Sequence, residues 1–214
     1  MKPVSVDNIA KERLIIFSRY PEPGKTKTRL IPVLGPEGAA MLHRQMTEYT
    51  LSQVRELQNQ RSINVEVCFA GGEPSVMAQW LGPDFIYKPQ GEGDLGVRMA
   101  RALASALQGT NRAVIIGTDC PGLNASILAA AFEQLQLSYD LVLGPAVDGG
   151  YYLLGLRYFI PELFIGINWG TSEVLQQTMA IAQQLNLSVN YLPELADVDR
   201  PEDLPLWERC QNNS

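Results

Sequence analysis

Short apolar runs alternate with amphipathic stretches along nearly the whole chain, and this alternation constrains the fold more than any other feature. Residues 13–18, 65–70, 113–117, 140–143, 151–156 and 188–192 read as strands, with a weaker one at 85–87. Residues 35–57 read as a long helix, with Ala39, Leu42, Met46, Tyr49 and Val54 near helical spacing. Further helices are expected at 75–81, 95–107 and 126–137, the last capped by Asn124. Another starts at Thr171 or Ser172 and runs to Leu185, with Glu173 in its first turn, and Pro201 opens a short terminal helix. Strands and helices in this order build an α/β domain, a mainly parallel sheet covered on both faces in three α/β/α layers. With no repeat, low-complexity tract or linker, residues 1–214 read as one domain with its core at about 13–207. Ligands of such sheets bind beyond the carboxyl ends of the strands, which directs attention to the loops after Ser18, Gly117 and Leu143.

Composition narrows the partners. A formal charge of −6 with no basic stripe argues against nucleic acid as a ligand. The 46% hydrophobic content is enough for a sizeable core. Cys68, Cys120 and Cys210 lie far apart, the sparse odd pattern of a reducing compartment and not of a disulfide framework or a zinc site. Residues 1–13 are mixed and charged, unlike a signal peptide, and no stretch approaches the ~20 apolar residues that span a bilayer. A cytoplasmic protein with no membrane partner is expected.

Two loops carry candidate chemistry. In Pro21-Glu22-Pro23-Gly24-Lys25-Thr26-Lys27-Thr28-Arg29-Leu30 three cations occupy alternate positions. In an extended loop Lys25, Lys27 and Arg29 would point the same way and converge on one polyanion, with Gly24 letting backbone approach it. A solvated surface loop is the plainer alternative. Gly24-Lys25-Thr26 is no P-loop, because the earlier glycine would have to stand at Arg19. Asp119 follows the apolar run 113–117 and precedes Cys120-Pro121; a carboxylate there can hold Mg²⁺ or Mn²⁺ against phosphate oxygens, or simply cap the turn. Further acidic loops lie at Asp148-Gly149-Gly150 and Asp197-Val198-Asp199-Arg200-Pro201.

The motifs 21–30, Gly91-Glu92-Gly93-Asp94-Leu95-Gly96-Val97-Arg98-Met99, Gly117-Thr118-Asp119-Cys120-Pro121, 144–152 and Trp169-Gly170-Thr171-Ser172 together resemble the DUF2064 family. The resemblance covers roughly residues 13–207. It implies a GT-A-like, Rossmann-like fold of the nucleotide-diphospho-sugar transferase superfamily, and glycosyl transfer as the activity. More distantly, residues 118–121 and 197–204 resemble guanylyltransferases of the molybdenum-cofactor and phospholactate types. What these likenesses imply is Asp119 holding the metal, Asp199 (or Asp197) as a second acidic ligand, and Lys27 and Arg29 meeting the phosphates. The chain departs from many metal-dependent GT-A glycosyltransferases in having Asp119-Cys120-Pro121 where they carry Asp-x-Asp.

Two reactions therefore stand side by side. One is glycosyl transfer from a nucleoside-diphosphate sugar to a small-molecule acceptor, with Asp148 as general base or merely a turn residue. The other is nucleotidyl transfer from a triphosphate with release of pyrophosphate. A protein that binds nucleotide or a partner without turnover is a third possibility. Gly91-x-Gly93-x-x-Gly96 also matches a dinucleotide fingerprint, but it follows the weak strand and not the opening one; the loop is expected to bring backbone to a nucleotide or an acceptor, with Asp94 and Arg98 as an ion pair. Trp169 and Thr171 could line an acceptor pocket, or Trp169 could be core. His43, the only histidine, reads as a partly buried helix residue, and Cys120 as packing.

Overall fold

The structure is a computed structural model that describes residues 11–212, so most of the segment 1–13 read above lies outside the described residues. Seven strands form one sheet: β1 (Glu12–Arg19), β2 (Asn64–Ala70), β3 (Ile86–Pro89), β4 (Arg112–Ile116), β5 (Leu141–Pro145), β6 (Tyr151–Leu156) and β7 (Val189–Tyr191). Their order is β3-β2-β1-β4-β6-β5-β7, and only β6 runs antiparallel to its neighbours. The expected mostly parallel α/β sheet is thus present, in a single domain.

Continuous apolar strands are explained by the two cores they serve. Leu14 and Ile16 of β1 and Val114 and Ile116 of β4 point to one face. There they meet α1 (Ile31–Gln60), α2 (Pro74–Leu81) and α4 (Ala125–Gln136). Ile15, Ala113 and Ile115 point to the other, under α3 (Leu95–Leu107), α5 (Val174–Gln184) and a 3-10 turn at Pro161–Phe164. The alternation of side chains along a strand thereby fills both layers.

Helix starts follow local chemistry. Asp94 and Asn124 accept the N–H of Val97 and Ile127 and cap α3 and α4. In α1, Gly35 sits at φ 71° and breaks the helix, so the long segment begins at Pro36. The helix expected from Thr171 or Ser172 begins only at Val174. The Thr171 hydroxyl donates to the Asn168 carbonyl (2.8 Å) and accepts the Glu173 N–H (3.3 Å), a local turn that holds the chain out of helix. The terminal helix likewise opens as a 3-10 turn, Pro201–Asp203, before α6 (Leu204–Asn212).

The order of strands reverses at β1, with β2 on one side and β4 on the other. This is the switch point where an α/β sheet opens a crevice at its carboxyl edge. A third apolar cluster joins Leu30 after the basic loop, Leu42 and Met46 of α1, Val198 and Trp207. It fixes the basic and acidic loops against each other across that crevice.

Candidate nucleotide site

A cavity of about 540 Å³ opens at the switch point, lined by the ends of β1 and β4, the 25–29 loop, His43, Gln90, the start of α3, Asp148, Trp169–Thr171, Asp197 and Asp199. Lys25, Lys27, Arg29, Asp119, Asp148, Asp199, Trp169 and Thr171 therefore share one wall or another of it. Gly24, Gly91 and Gly93 do not line it.

The basic loop is a turn and not an extended strand, which corrects the expectation that its three cations point the same way. The Lys25 N–H and the Thr26 hydroxyl both donate to the Glu22 carbonyl, and Lys25 Nζ pairs with the Glu22 carboxylate at 2.7 Å. Lys27 adopts left-handed backbone at φ 48°, which turns its side chain inward until only 4% is exposed. That conformation costs on the order of 1 kcal/mol for a non-glycine residue, so the bonds at its tip must outweigh it. Lys27 Nζ meets Asp119 Oδ1 at 2.6 Å and the Val198 carbonyl at 2.6 Å, with Asp199 Oδ1 at 3.8 Å. Arg29 pairs with the other oxygen of Asp199.

Asp119 is brought there by backbone as well as charge. The Val198 N–H donates to its carbonyl at 2.8 Å, and three residues earlier Leu195 pairs in parallel with Ala146, so the acidic loop is tied to two strand ends. Asp119 Oδ1 is enclosed against the Lys27 ammonium, while half of the side chain stays exposed, so the open side is Oδ2. Burial would push the Asp119 carboxyl up, but Lys27 and His43 outweigh it and hold the group below the ordinary carboxylate range. Asp197 behaves oppositely: burial first, then the neighbouring Asp148, Asp199 and Asp203 carboxylates, raise it. No cation is paired with Asp197 among the described residues.

A buried polar row supports this floor. The hydroxyls of Ser18, Thr47 and Thr118 follow one another at 3.3 and 3.4 Å, and His43 Nε2 bonds the Arg19 carbonyl at 2.9 Å. Burial lowers the pKa of His43, with Asp119 partly offsetting it, so the ring is neutral at neutral pH. His43 is thus an element of the site floor, which its isolated position in the sequence did not signal. Gln90 is another: it is buried, and its amide N–H groups reach the carbonyls of Ser18 and Cys68, both at 3.0 Å.

Other expectations resolve as follows. Cys120 is buried in the core and its thiol is pushed up by burial, consistent with packing and not with a nucleophile. Asp148 Oδ1 accepts the Gly150 N–H at 2.8 Å, so it shapes its turn while also lining the cavity. The Asp94–Arg98 ion pair is absent; Asp94 spends its carboxylate on the helix cap, and Arg98 bonds the Asp94 carbonyl and Gln90 Oε1. Gly91 and Gly93, the first two positions of the dinucleotide fingerprint, stand outside the cavity lining. Gly91 has φ 77° and packs on Arg101, Gly93 has φ 107° and packs on Val97, and Gly96 gives room to the Trp169 indole, which stands edge-on to Tyr151. These glycines accommodate the chain itself.

With this geometry in view, similarity decides the family. A family model described as an uncharacterized protein conserved in bacteria, DUF2064, matches residues 53–171, more than half of the chain. The chain belongs to the DUF2064 family. A solved structure described as a candidate nucleotide-diphospho-sugar transferase, from Desulfovibrio desulfuricans G20, is 37% identical over 96% of this chain and 90% of its own, with a TM-score of 0.89. At 10% identity the fold is shared with 4-diphosphocytidyl-2C-methyl-D-erythritol synthase from Anaerococcus prevotii DSM 20548, with a TM-score of 0.63 and coverage of 95% of this chain and 96% of that one. At 12% identity it is shared with glucosyl-3-phosphoglycerate synthase from Mycobacterium tuberculosis bound to Mn²⁺, uridine diphosphate and glucosyl-3-phosphoglycerate. There the TM-score is 0.55, with coverage of 94% of this chain and 80% of that one. No curated protein matches the chain. The DUF2064 chain thus has the GT-A-like fold of nucleotide-diphospho-sugar transferases. None of its described helices is long and apolar enough to cross a membrane.

Proposed function

We propose that this protein is a cytoplasmic, metal-dependent glycosyltransferase that moves a sugar from a nucleoside-diphosphate donor to a small-molecule acceptor. The observation that carries the reading is the Asp119–Lys27–Asp199–Arg29 cluster at the switch point, facing a cavity large enough for a nucleotide sugar. Opposed carboxylates and cations at one strand end suit a phosphate and a divalent ion together.

The donor set fits such an ion in a specific way. No three His, Cys, Asp or Glu side chains among the described residues converge closely enough to hold a metal by themselves. Mg²⁺ and Mn²⁺ bound with nucleotides need only one or two carboxylates, with phosphate and water completing the shell. Asp119, through its open oxygen, is one ligand. Asp199 is committed to Lys27 and Arg29, whereas Asp197 faces the cavity with no cation of its own and with repelling carboxylates around it. Asp197 is therefore the better-placed second ligand, in preference to Asp199. When bound, the ion supplies positive charge to the diphosphate.

In the reaction the bond between the anomeric carbon and the β-phosphate oxygen breaks, and its electron pair leaves with the diphosphate. The acceptor oxygen bonds the anomeric carbon, and Asp148 takes the acceptor proton. Trp169 and Leu95, both in the cavity lining, offer an apolar surface for the acceptor. Nucleotidyl transfer is the second reading, favoured by one observation. A single cavity-facing carboxylate followed by a buried Cys120 replaces the paired aspartates of many GT-A glycosyltransferases. Incubation with nucleotide sugars and nucleoside triphosphates, with Mg²⁺ or Mn²⁺ and an acceptor panel, separates the two. Free nucleoside diphosphate supports glycosyl transfer, pyrophosphate supports the second reading, and metal-dependent binding without either product would contradict both.

A further inference from the structure

Five cations line the cavity, and their partners divide them sharply. Lys25 is paired with Glu22, and Lys27 and Arg29 with Asp119 and Asp199. Arg19 and Arg98 have no carboxylate within ion-pair distance among the described residues. The charge that a phosphate would feel without first displacing a carboxylate is therefore that of Arg19 and Arg98. The side chain of Arg19 is exposed and makes no bond to the described residues that fixes it.

Arg98 is different. Its Nη1 donates to Gln90 Oε1 at 2.8 Å and its Nε to the Asp94 carbonyl at 3.2 Å, both neutral acceptors that orient the guanidinium without cancelling its charge. Nη2 makes no hydrogen bond to the described residues. Gln90 cannot turn away. It is 8% exposed, and its amide N–H groups are held by the Ser18 and Cys68 carbonyls, so Oε1 must face Arg98. The sheet edge thus holds one fixed, half-buried guanidinium in the cavity wall with an unused donor edge. A preorganised donor of this kind needs no reorganisation as charge develops on a departing group.

We propose that Arg98, positioned by Gln90, is the residue that receives the phosphate charge of the donor, while Lys27 serves chiefly to hold Asp119 in place. This inference rests on the nucleotide-donor reading above. It is tested by calorimetric binding of a nucleoside diphosphate, and separately of the same nucleoside without phosphate, to wild-type protein, Arg98→Gln and Arg98→Lys in the presence of Mg²⁺. The expected result is at least a tenfold loss of diphosphate affinity in Arg98→Gln, an intermediate loss in Arg98→Lys, and unchanged nucleoside affinity in both. Equal losses for diphosphate and nucleoside would show a purely structural residue and overturn the inference. So would unchanged diphosphate affinity in both variants, which would leave the nucleotide-donor reading standing. Wild-type protein that binds no nucleoside diphosphate would remove that reading and this inference with it.

Discussion

Replacing Lys27 by methionine tests whether the acidic cluster is clamped as described. The Lys27 side chain is 4% exposed, and its ammonium serves two acceptors at 2.6 Å, one of them a carboxylate oxygen with no other partner. Removing one member of a fully buried pair costs about 3–5 kcal/mol, because the other is left desolvated and alone. Half of the Asp119 side chain remains open to water, so solvent recovers part of that energy and about 2 kcal/mol is expected. For a domain of this size that is a fall in Tm of roughly 4–8 °C. The strained backbone at position 27 persists in the variant, so it neither adds nor subtracts. Urea unfolding of wild type, Lys27→Met, Asp119→Asn and the double variant forms a thermodynamic cycle. The double variant should be more stable than the sum of the single changes implies, by about 1–2 kcal/mol, with unchanged m-values. Effects that add to within about 0.5 kcal/mol, or a Lys27→Met midpoint equal to wild type, would refute the clamp.

Gly96→Ala should destabilise although alanine favours helices by up to about 1 kcal/mol over glycine. A Cβ there would lie 2.5 and 2.7 Å from two indole carbons of Trp169, and overpacking of that kind costs about 1–3 kcal/mol. A net loss of about 1 kcal/mol with a shifted tryptophan emission is expected, while Gly109→Ala, whose Cβ meets nothing within 4 Å, should be neutral to about 0.5 kcal/mol. An unshifted emission in Gly96→Ala would contradict the packing. His43 is held neutral by burial, its folded pKa lying below the unfolded value of about 6.5. The unfolded chain therefore binds the proton first, so stability is full above about pH 6.5 and falls as pH drops toward the lower folded value. Stability curves of wild type and His43→Gln over pH 5 to 8 should differ in slope below about 6.5, and parallel curves would refute the assignment.

Much of the layout was legible because it depends on local pattern. The runs around Leu14-Ile15-Ile16 and Val114-Ile115-Ile116 serve two cores at once, so they read as unbroken apolar strands. Asp94 and Asn124 announce their helices through side-chain caps that act within three residues. The site was legible only as a set of loops. No local rule puts a lysine at φ 48°, and that single torsion sends Lys27 to Asp119 while Lys25 turns back to Glu22. His43 meets Arg19 across 24 residues and Gln90 meets Ser18 across 72, contacts set by the packing of α1 and by the edge pairing of β2 with β3. The resemblance favours Asp199 over Asp197 as second ligand, whereas Asp197 is the one proposed here, because Lys27 and Arg29 reach Asp199 and that pairing is set by packing.

The proposed binding of nucleotide through a metal held at Asp119 has a direct test. The direct measurement is calorimetric binding of a nucleoside diphosphate to wild type and Asp119→Asn, each with Mn²⁺ and with chelator. Metal is expected to tighten binding to the wild type at least tenfold and to have little effect on Asp119→Asn. Binding that is equally tight without metal, or that Mn²⁺ enhances equally in both proteins, would contradict it.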